Sequence, residues 1–242
     1  MKKILYGTLL LSLALVTTAP AEAGIFSFLH KKKTEKKAPP KKTAYEKLLT
    51  DNLVQTASGP LMKLHKTDGK LYLELPKKTL GKDFLLGVTL SSISNPGLGN
   101  VGFRNSNPVH FRFVQKDSVV VMDIVNTEFL TTSAPTKEMV ASIAQNYTNL
   151  SFLSFPIKAW SKDSANVVVD ASSFFLNDNR FFPILDGDNS GVKVEEQQSS
   201  ELTHIKTLKS FKNNVSILVE RSYKATLSAG PGSRTLTHYP IT

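Results

Sequence analysis

From Leu61 onward the apolar residues of this chain recur at every second position, and that period restricts it to sheet-forming folds more than any other feature does. Leu61-Met62-Lys63-Leu64-His65 and Lys70-Leu71-Tyr72-Leu73-Glu74-Leu75 flank Thr67-Asp68-Gly69, where Asp-Gly supplies the positive φ of a tight hairpin. In the second run Leu71, Leu73 and Leu75 face one way and Tyr72 and Glu74 the other, which predicts a half-buried sheet. Further strands are predicted at Phe84–Ser91, Val109–Gln115, Val119–Val125, Phe152–Ala159, Val167–Asp170, Val215–Ala225 and Thr235–Tyr239. Helical spacing is confined to three places. Tyr45, Leu48 and Leu49 share a face within Thr43–Asn52; Val140, Ile143, Ala144 and Tyr147 follow a Pro135-Thr136 start; and a short turn is predicted at Ala171–Leu176. The expected class is mainly β (α+β): an antiparallel β-sandwich or curved sheet with one or two short helices.

The organisation predicted around that sheet has four parts. Met1 to Ala23 form a signal peptide, with Lys2 and Lys3, an apolar run from Ile4 to Val16 and a small-x-small site at Ala21-Glu22-Ala23. That run is shorter than the roughly 20 apolar residues a membrane span needs, so the expectation is an exported protein, periplasmic or extracellular, starting at Gly24. A Lys/Pro-rich linker occupies 24–42, a short N-terminal domain 43–66, and a β-rich domain 67–242. No residue is cysteine, which excludes disulfides, thiolate metal sites and a thiol nucleophile.

The net charge of +10 is concentrated in one tract, because Lys31–Lys42 holds seven lysines and one glutamate. Without the signal and that tract, only +3 remains. The tract has no aromatic residue for bases to stack on, so it is read as a solvated spacer and not as a nucleic-acid site. Membrane contact is at most weak, through the lysines and the neighbouring Ile25, Phe26 and Phe28.

Each chemical motif has a plainer structural reading. Gly97, Gly99 and Gly102 spell G-x-G-x-x-G, but Phe103-Arg104-Asn105-Ser106-Asn107-Pro108 cannot start the helix a dinucleotide site requires. Asp186, Asp188 and Ser190 occupy positions one, three and five of a calcium-type loop with Gly191 at six; Gln197 stands where the bidentate glutamate belongs, so a polar turn within an exposed Asp186–Ser200 loop is the better reading. His30, His65, His110, His204 and His238 are scattered and form no H-E-x-x-H pair, and no serine sits in a G-x-S-x-G elbow. Gly230-Pro231-Gly232-Ser233-Arg234 lacks a phosphate-loop lysine, and the adjacent Glu195 and Glu196 are read as solvated charge. Phe152, Phe155, Phe174, Phe175, Phe181, Phe182 and Trp160 are read as core, with Phe181-Phe182-Pro183 a docking edge if exposed. No catalytic, cofactor-binding or metal residue is assigned.

Several segments together carry a resemblance: Gly69-Lys70-Leu71-Tyr72-Leu73-Glu74-Leu75-Pro76, Leu80-Gly81-Lys82-Asp83-Phe84-Leu85-Leu86, Val109-His110-Phe111-Arg112-Phe113, Val167-Val168-Val169-Asp170 with Phe174-Phe175-Leu176-Asn177-Asp178, and Ile205 to Phe211 with Asn214-Val215. They resemble the N-terminal region of large secreted bacterial zinc-dependent metalloproteases, in which two uncharacterised domains precede an H-E-x-x-H catalytic domain. The resemblance implies a truncated or split family member, non-catalytic as the chain stands, with zinc expected only in the absent catalytic domain. The implied partners are a metallopeptidase catalytic domain or a protein substrate. The alternative is an independent extracytoplasmic β-rich module that binds protein or glycan through loops such as Gly97–Asn107 and Asp186–Gln197.

Overall fold

The computed structural model describes residues 41–94, 100–103, 107–128, 135–182, 192–197, 201–227 and 234–241. The signal-peptide reading and the lysine tract as far as residue 40 therefore lie outside the described residues; at the end of the tract, Lys42 pairs with Asp51. The described chain opens with α1 (Ala44–Leu49), whose start is fixed by a capping box: the Thr43 hydroxyl accepts from the Glu46 N–H and the Glu46 carboxylate accepts from the Thr43 N–H.

Eight strands then build one antiparallel sheet. They are β1 (Leu53–Ser58), β2 (Lys63–Thr67), β3 (Lys70–Pro76), β4 (Asp83–Leu86), β5 (Val109–Lys116), β6 (Val119–Ile124), β7 (Leu150–Trp160) and β8 (Asn166–Asp170), in the spatial order β1-β2-β3-β8-β7-β6-β5-β4. Two meanders are joined where β3 pairs with β8, Leu73 opposite Val169 and Leu75 opposite Val167. The β2–β3 turn closes at Gly69 with φ of +68°, a conformation open to glycine at no steric cost. Bulges interrupt the β6–β7 and β7–β8 pairings, at Met122/Asp123 and at Ile157/Ala159, and each adds local twist, so the sheet curls.

Two helices punctuate this sheet: α2 (Lys137–Asn146), capped by Thr136, and α3 (Ser172–Leu176). A second sheet follows from β9 (Val192–Gln197), β10 (His204–Ser210), β11 (Val215–Leu227) and β12 (Arg234–Ile241). The long β11 pairs with β10 along its first half and with both β9 and β12 along its second. The two sheets meet at β1 and β10 through a side chain: the Gln55 amide donates to the Leu208 carbonyl at 2.8 Å and accepts from the Leu208 N–H at 2.9 Å.

The core lies on the inner face, where Leu64, Leu71, Leu73, Leu75, Val167 and Val169 meet Phe111, Phe113, Met122 and Phe155. Phe174 of α3, Phe181, Phe182, and Ile205 and Leu208 of β10 complete it. Its rings touch in series, Phe84–Phe111 at 5.4 Å, Phe111–Phe113 at 5.2 Å, and Phe174–Phe182 at 5.3 Å, in stacked and edge-on pairs worth about 0.5–1.5 kcal/mol each beyond their burial.

The mainly β expectation holds, and four local expectations change. Strand β3 alternates as predicted, but it is buried on both faces because Tyr45, Leu48 and Leu49 of α1 cover Tyr72, Val168 and Ala159 on the outer side. The strand predicted at Phe84–Ser91 stops at Leu86. The predicted Asp186–Ser200 loop contains strand β9. Phe181 and Phe182 are buried and form core instead of a docking edge. The large sheet also runs unbroken across the 66/67 division drawn from the sequence, since β2 and β3 form a complete hairpin.

Candidate functional site

The inner face of the curled sheet is only partly filled. Between it and β11 lies a cavity of about 1000 Å³, at the upper end of the range for small-molecule sites. Its walls are apolar for the most part: Leu64, Leu73, Phe84, Phe111, Phe113, Met122 and Phe155 from the large sheet, and Val215, Ile217 and Val219 from β11. Leu85 and Val101 also line it and are 70% and 55% exposed, so the apolar lining continues onto the molecular surface.

One charged side chain of the β11 wall is set among the phenylalanines. Arg221 lines the cavity with its guanidinium 4.6 Å from the centre of the Phe182 ring, and its Nη2 donates to the Phe175 carbonyl at 2.6 Å. Its Nε is buried and has no hydrogen-bond partner. Among the described residues no carboxylate forms an ion pair with it. The nearby Tyr223 hydroxyl instead donates to Asp178 at 2.6 Å, and burial followed by that bond pushes the phenol well above its ordinary range.

The outer face carries a different constellation. Glu74, 1% exposed, accepts from Tyr45 at 3.0 Å, from Asn166 at 2.6 Å and from His65 Nε2 at 2.7 Å. His65 Nδ1 lies 3.0 Å from the Thr56 hydroxyl, and Lys63 Nζ stands 3.8 Å from the carboxylate. The imidazole thus bridges the two, Nε2 toward the Glu74 carboxylate and Nδ1 toward the Thr56 hydroxyl, which can either donate or accept. The His65 bond leads in holding the Glu74 carboxyl below its usual range against the opposing effect of burial. Burial, with the Glu74 carboxylate beside it, pushes the Tyr45 phenol up to about 12. Hydroxyl, imidazole and carboxylate in a row are the parts of a nucleophile relay. Here, however, Thr56 is exposed while His65 and Glu74 are buried, and partners from α1, β2 and β8 converge on Glu74, so the network clasps the helix to the sheet.

A third cluster is a surface one. Asp83 accepts from Arg112 Nε at 2.5 Å and lies 2.9 Å from His110 Nε2, and these two hold its carboxyl low. The group is exposed and contributes little to stability. Helix α2 has no buried residue: Met139 and Val140 are 50% and 52% exposed, with Ile143 on the same face.

The remaining sequence candidates divide cleanly. The calcium-type loop at Asp186, Asp188 and Ser190 lies outside the described residues, as do Gly97, Gly99 and the Gly230–Arg234 turn up to Ser233. Gly102 sits in a turn with φ of +88°, and residues 107–108 lead into β5, not into a helix. His65 and His110 bind carboxylates, and His204 lies 4.0 Å from Glu220. Among the described residues no three His, Asp or Glu side chains gather as a metal site, and no helix is long and apolar enough to cross a membrane. Sequence reasoning missed Arg221 and Glu74. The signal for Arg221 was a charged Glu220-Arg221 pair directly after the apolar run Ile217-Leu218-Val219; Glu74 gave none, because it reads as the polar face of an alternating strand.

The comparisons with known proteins concern families alone. No curated protein and no solved structure matches the chain. Residues 42–93 match the model described as Domain of unknown function (DUF5118), and residues 104–242 match that described as Domain of unknown function (DUF5117). The second match covers more than half of the sequence, and the chain thus belongs to the DUF5117 family.

Proposed function

We propose that this chain is a non-catalytic accessory region of an exported zinc-dependent metallopeptidase system, and that α2 is its contact with the catalytic domain. The observation that carries the reading is the bare apolar face of α2. A ten-residue amphipathic helix with Met139, Val140 and Ile143 turned away from the core gains nothing from folding on its own, and helices of this length depend on packing for their stability. A partner surface supplies that packing. The metallopeptidase part of the reading is supported by the sequence resemblance set out above, and the signal-like segment supports export.

The test has two arms. Purified protein is expected to cleave neither casein nor gelatin, with or without added zinc. A photo-crosslinking amino acid at Met139, introduced in the native host, is expected to capture a protein whose sequence holds H-E-x-x-H, identified by mass spectrometry. Zinc-dependent cleavage by the chain alone, or crosslinks only to proteins without that motif, would overturn the proposal. The alternative of an independent binding module is favoured by a separate observation, the cavity, whose apolar walls suit a hydrocarbon better than a glycan.

A further inference from the structure

We propose that the cavity between the large sheet and β11 is a binding site for a single-chain anionic amphiphile, with the head group on Arg221 and the hydrocarbon chain along the phenylalanine wall. The inference does not depend on the metallopeptidase reading. It begins from a mismatch: a guanidinium lines a mostly apolar cavity beside Phe175 and Phe182, facing a large-sheet wall that includes Phe84, Phe111, Phe113 and Phe155, yet one of its donors is buried and unmet. A buried donor without a partner costs free energy, and native proteins keep few of them. Arginine offers its donors in a fork that matches carboxylate or phosphate; here one arm donates to the Phe175 carbonyl and the guanidinium lies close to the Tyr223 hydroxyl, while Nε stays unmet. Among the described residues no carboxylate neutralises it, and Asp178 is held by Tyr223.

The complement to such a site is one negative charge attached to a long apolar body. A neutral hydrocarbon leaves the guanidinium uncompensated, and a sugar leaves the phenylalanines unpaired. The volume of about 1000 Å³ accommodates a chain of fatty-acid length, and exposed Leu85 and Val101 on the lining give it an apolar way in.

The experiment uses the full chain, stripped of lipid and titrated by calorimetry with three probes of equal chain length: palmitate, hexadecyl phosphate and hexadecanol. Saturable one-site binding of palmitate or hexadecyl phosphate is expected, with hexadecanol weaker by roughly ten- to a hundredfold, the worth of a charge-assisted bond. The tighter of the two anions identifies the head group. Arg221→Gln, checked for folding by near-ultraviolet circular dichroism, is expected to bring the anions down to the level of hexadecanol, and Arg221→Lys to restore part of the difference. Val219→Trp, which fills the cavity, is expected to abolish binding of all three. Equal binding of the three probes to the native chain, or no saturable binding, overturns the proposal without recourse to any variant. So does displacement by an apolar peptide that no amphiphile matches, which would make the cavity the seat of a protein segment.

Discussion

Glu74 is the residue on which the outer face turns. A carboxylate with so little exposure persists in ionised form only because Tyr45, His65 and Asn166 all donate to it. Replacing it by glutamine keeps the shape but gives Nε2 of His65 or the Tyr45 hydroxyl an amide in place of a charged acceptor. Glu74→Gln is expected to lose about 2–4 kcal/mol in urea denaturation at neutral pH. The pH dependence has a definite sign. The folded carboxyl ionises below its unfolded value of about 4.3, so its contribution is complete above that pH and disappears as pH falls through the lower folded value. Below about pH 4 the native protein is therefore expected to lose stability more steeply than Glu74→Gln. On the alkaline side Tyr45 acts in the opposite direction. Its phenol is held up to about 12 in the folded state against about 10 in the unfolded chain, so its share of stability is full below pH 10 and is lost as pH rises towards 12. Tyr45→Phe is expected to flatten that alkaline decline.

Among the elements, β1 and β10 form the seam between the sheets, and side chains from both strands bridge it. Gln55 imitates a peptide group, giving and accepting one bond with Leu208, while Ser210 accepts from the Ser58 N–H at 2.8 Å. Gln55→Leu leaves the Leu208 N–H and carbonyl without these partners, at an expected cost of about 1–3 kcal/mol, and hydrogen exchange at the Leu208 amide should accelerate while β3 and β8 remain protected. Neither strand was visible in the sequence, for different physical reasons. In β10 a bulge between Ile205 and Thr207 lets Ile205 and Leu208, three residues apart, enter the same core, so period two is broken where it would have marked a strand. In β1 only Ala57 is buried, and a strand with one apolar contact leaves almost no periodic trace. The β2–β3 hairpin was legible because Asp68-Gly69 and the alternation of Leu71, Leu73 and Leu75 agree on one answer. The candidate site was not, because the cavity is assembled from strands β2 to β7 and from β11, and Phe113 and Arg221 come to line one space only once the two sheets are folded.

At the scale of the whole molecule, the two family matches divide the chain at a place where the fold does not divide. The first match ends at residue 93, beyond β4, and the second begins at 104, ahead of β5. Yet β4 pairs with β5 through Phe84 opposite Phe111, and β3 pairs with β8 along Tyr72 to Pro76, so the first segment supplies four strands of an eight-stranded sheet whose other four lie in the second. Separated, each would expose the apolar face it now buries: Leu64, Leu71, Leu73 and Leu75 on one side, Phe111, Phe113, Val167 and Val169 on the other. An isolated β1–β4 piece would also present β3 as a long open edge. The described fold is accordingly expected to unfold in one step, with calorimetric and van't Hoff enthalpies equal. A protease site inserted between Ser94 and Asn107 tests the point directly. After cleavage the two fragments should stay associated through purification and separate only on denaturation, and the fragment ending at Ser94, expressed alone, should show no cooperative transition. Two independent melting transitions, or a folded first fragment, would instead mean that each matched segment is a domain in its own right and that the β3–β8 pairing is an interface between them.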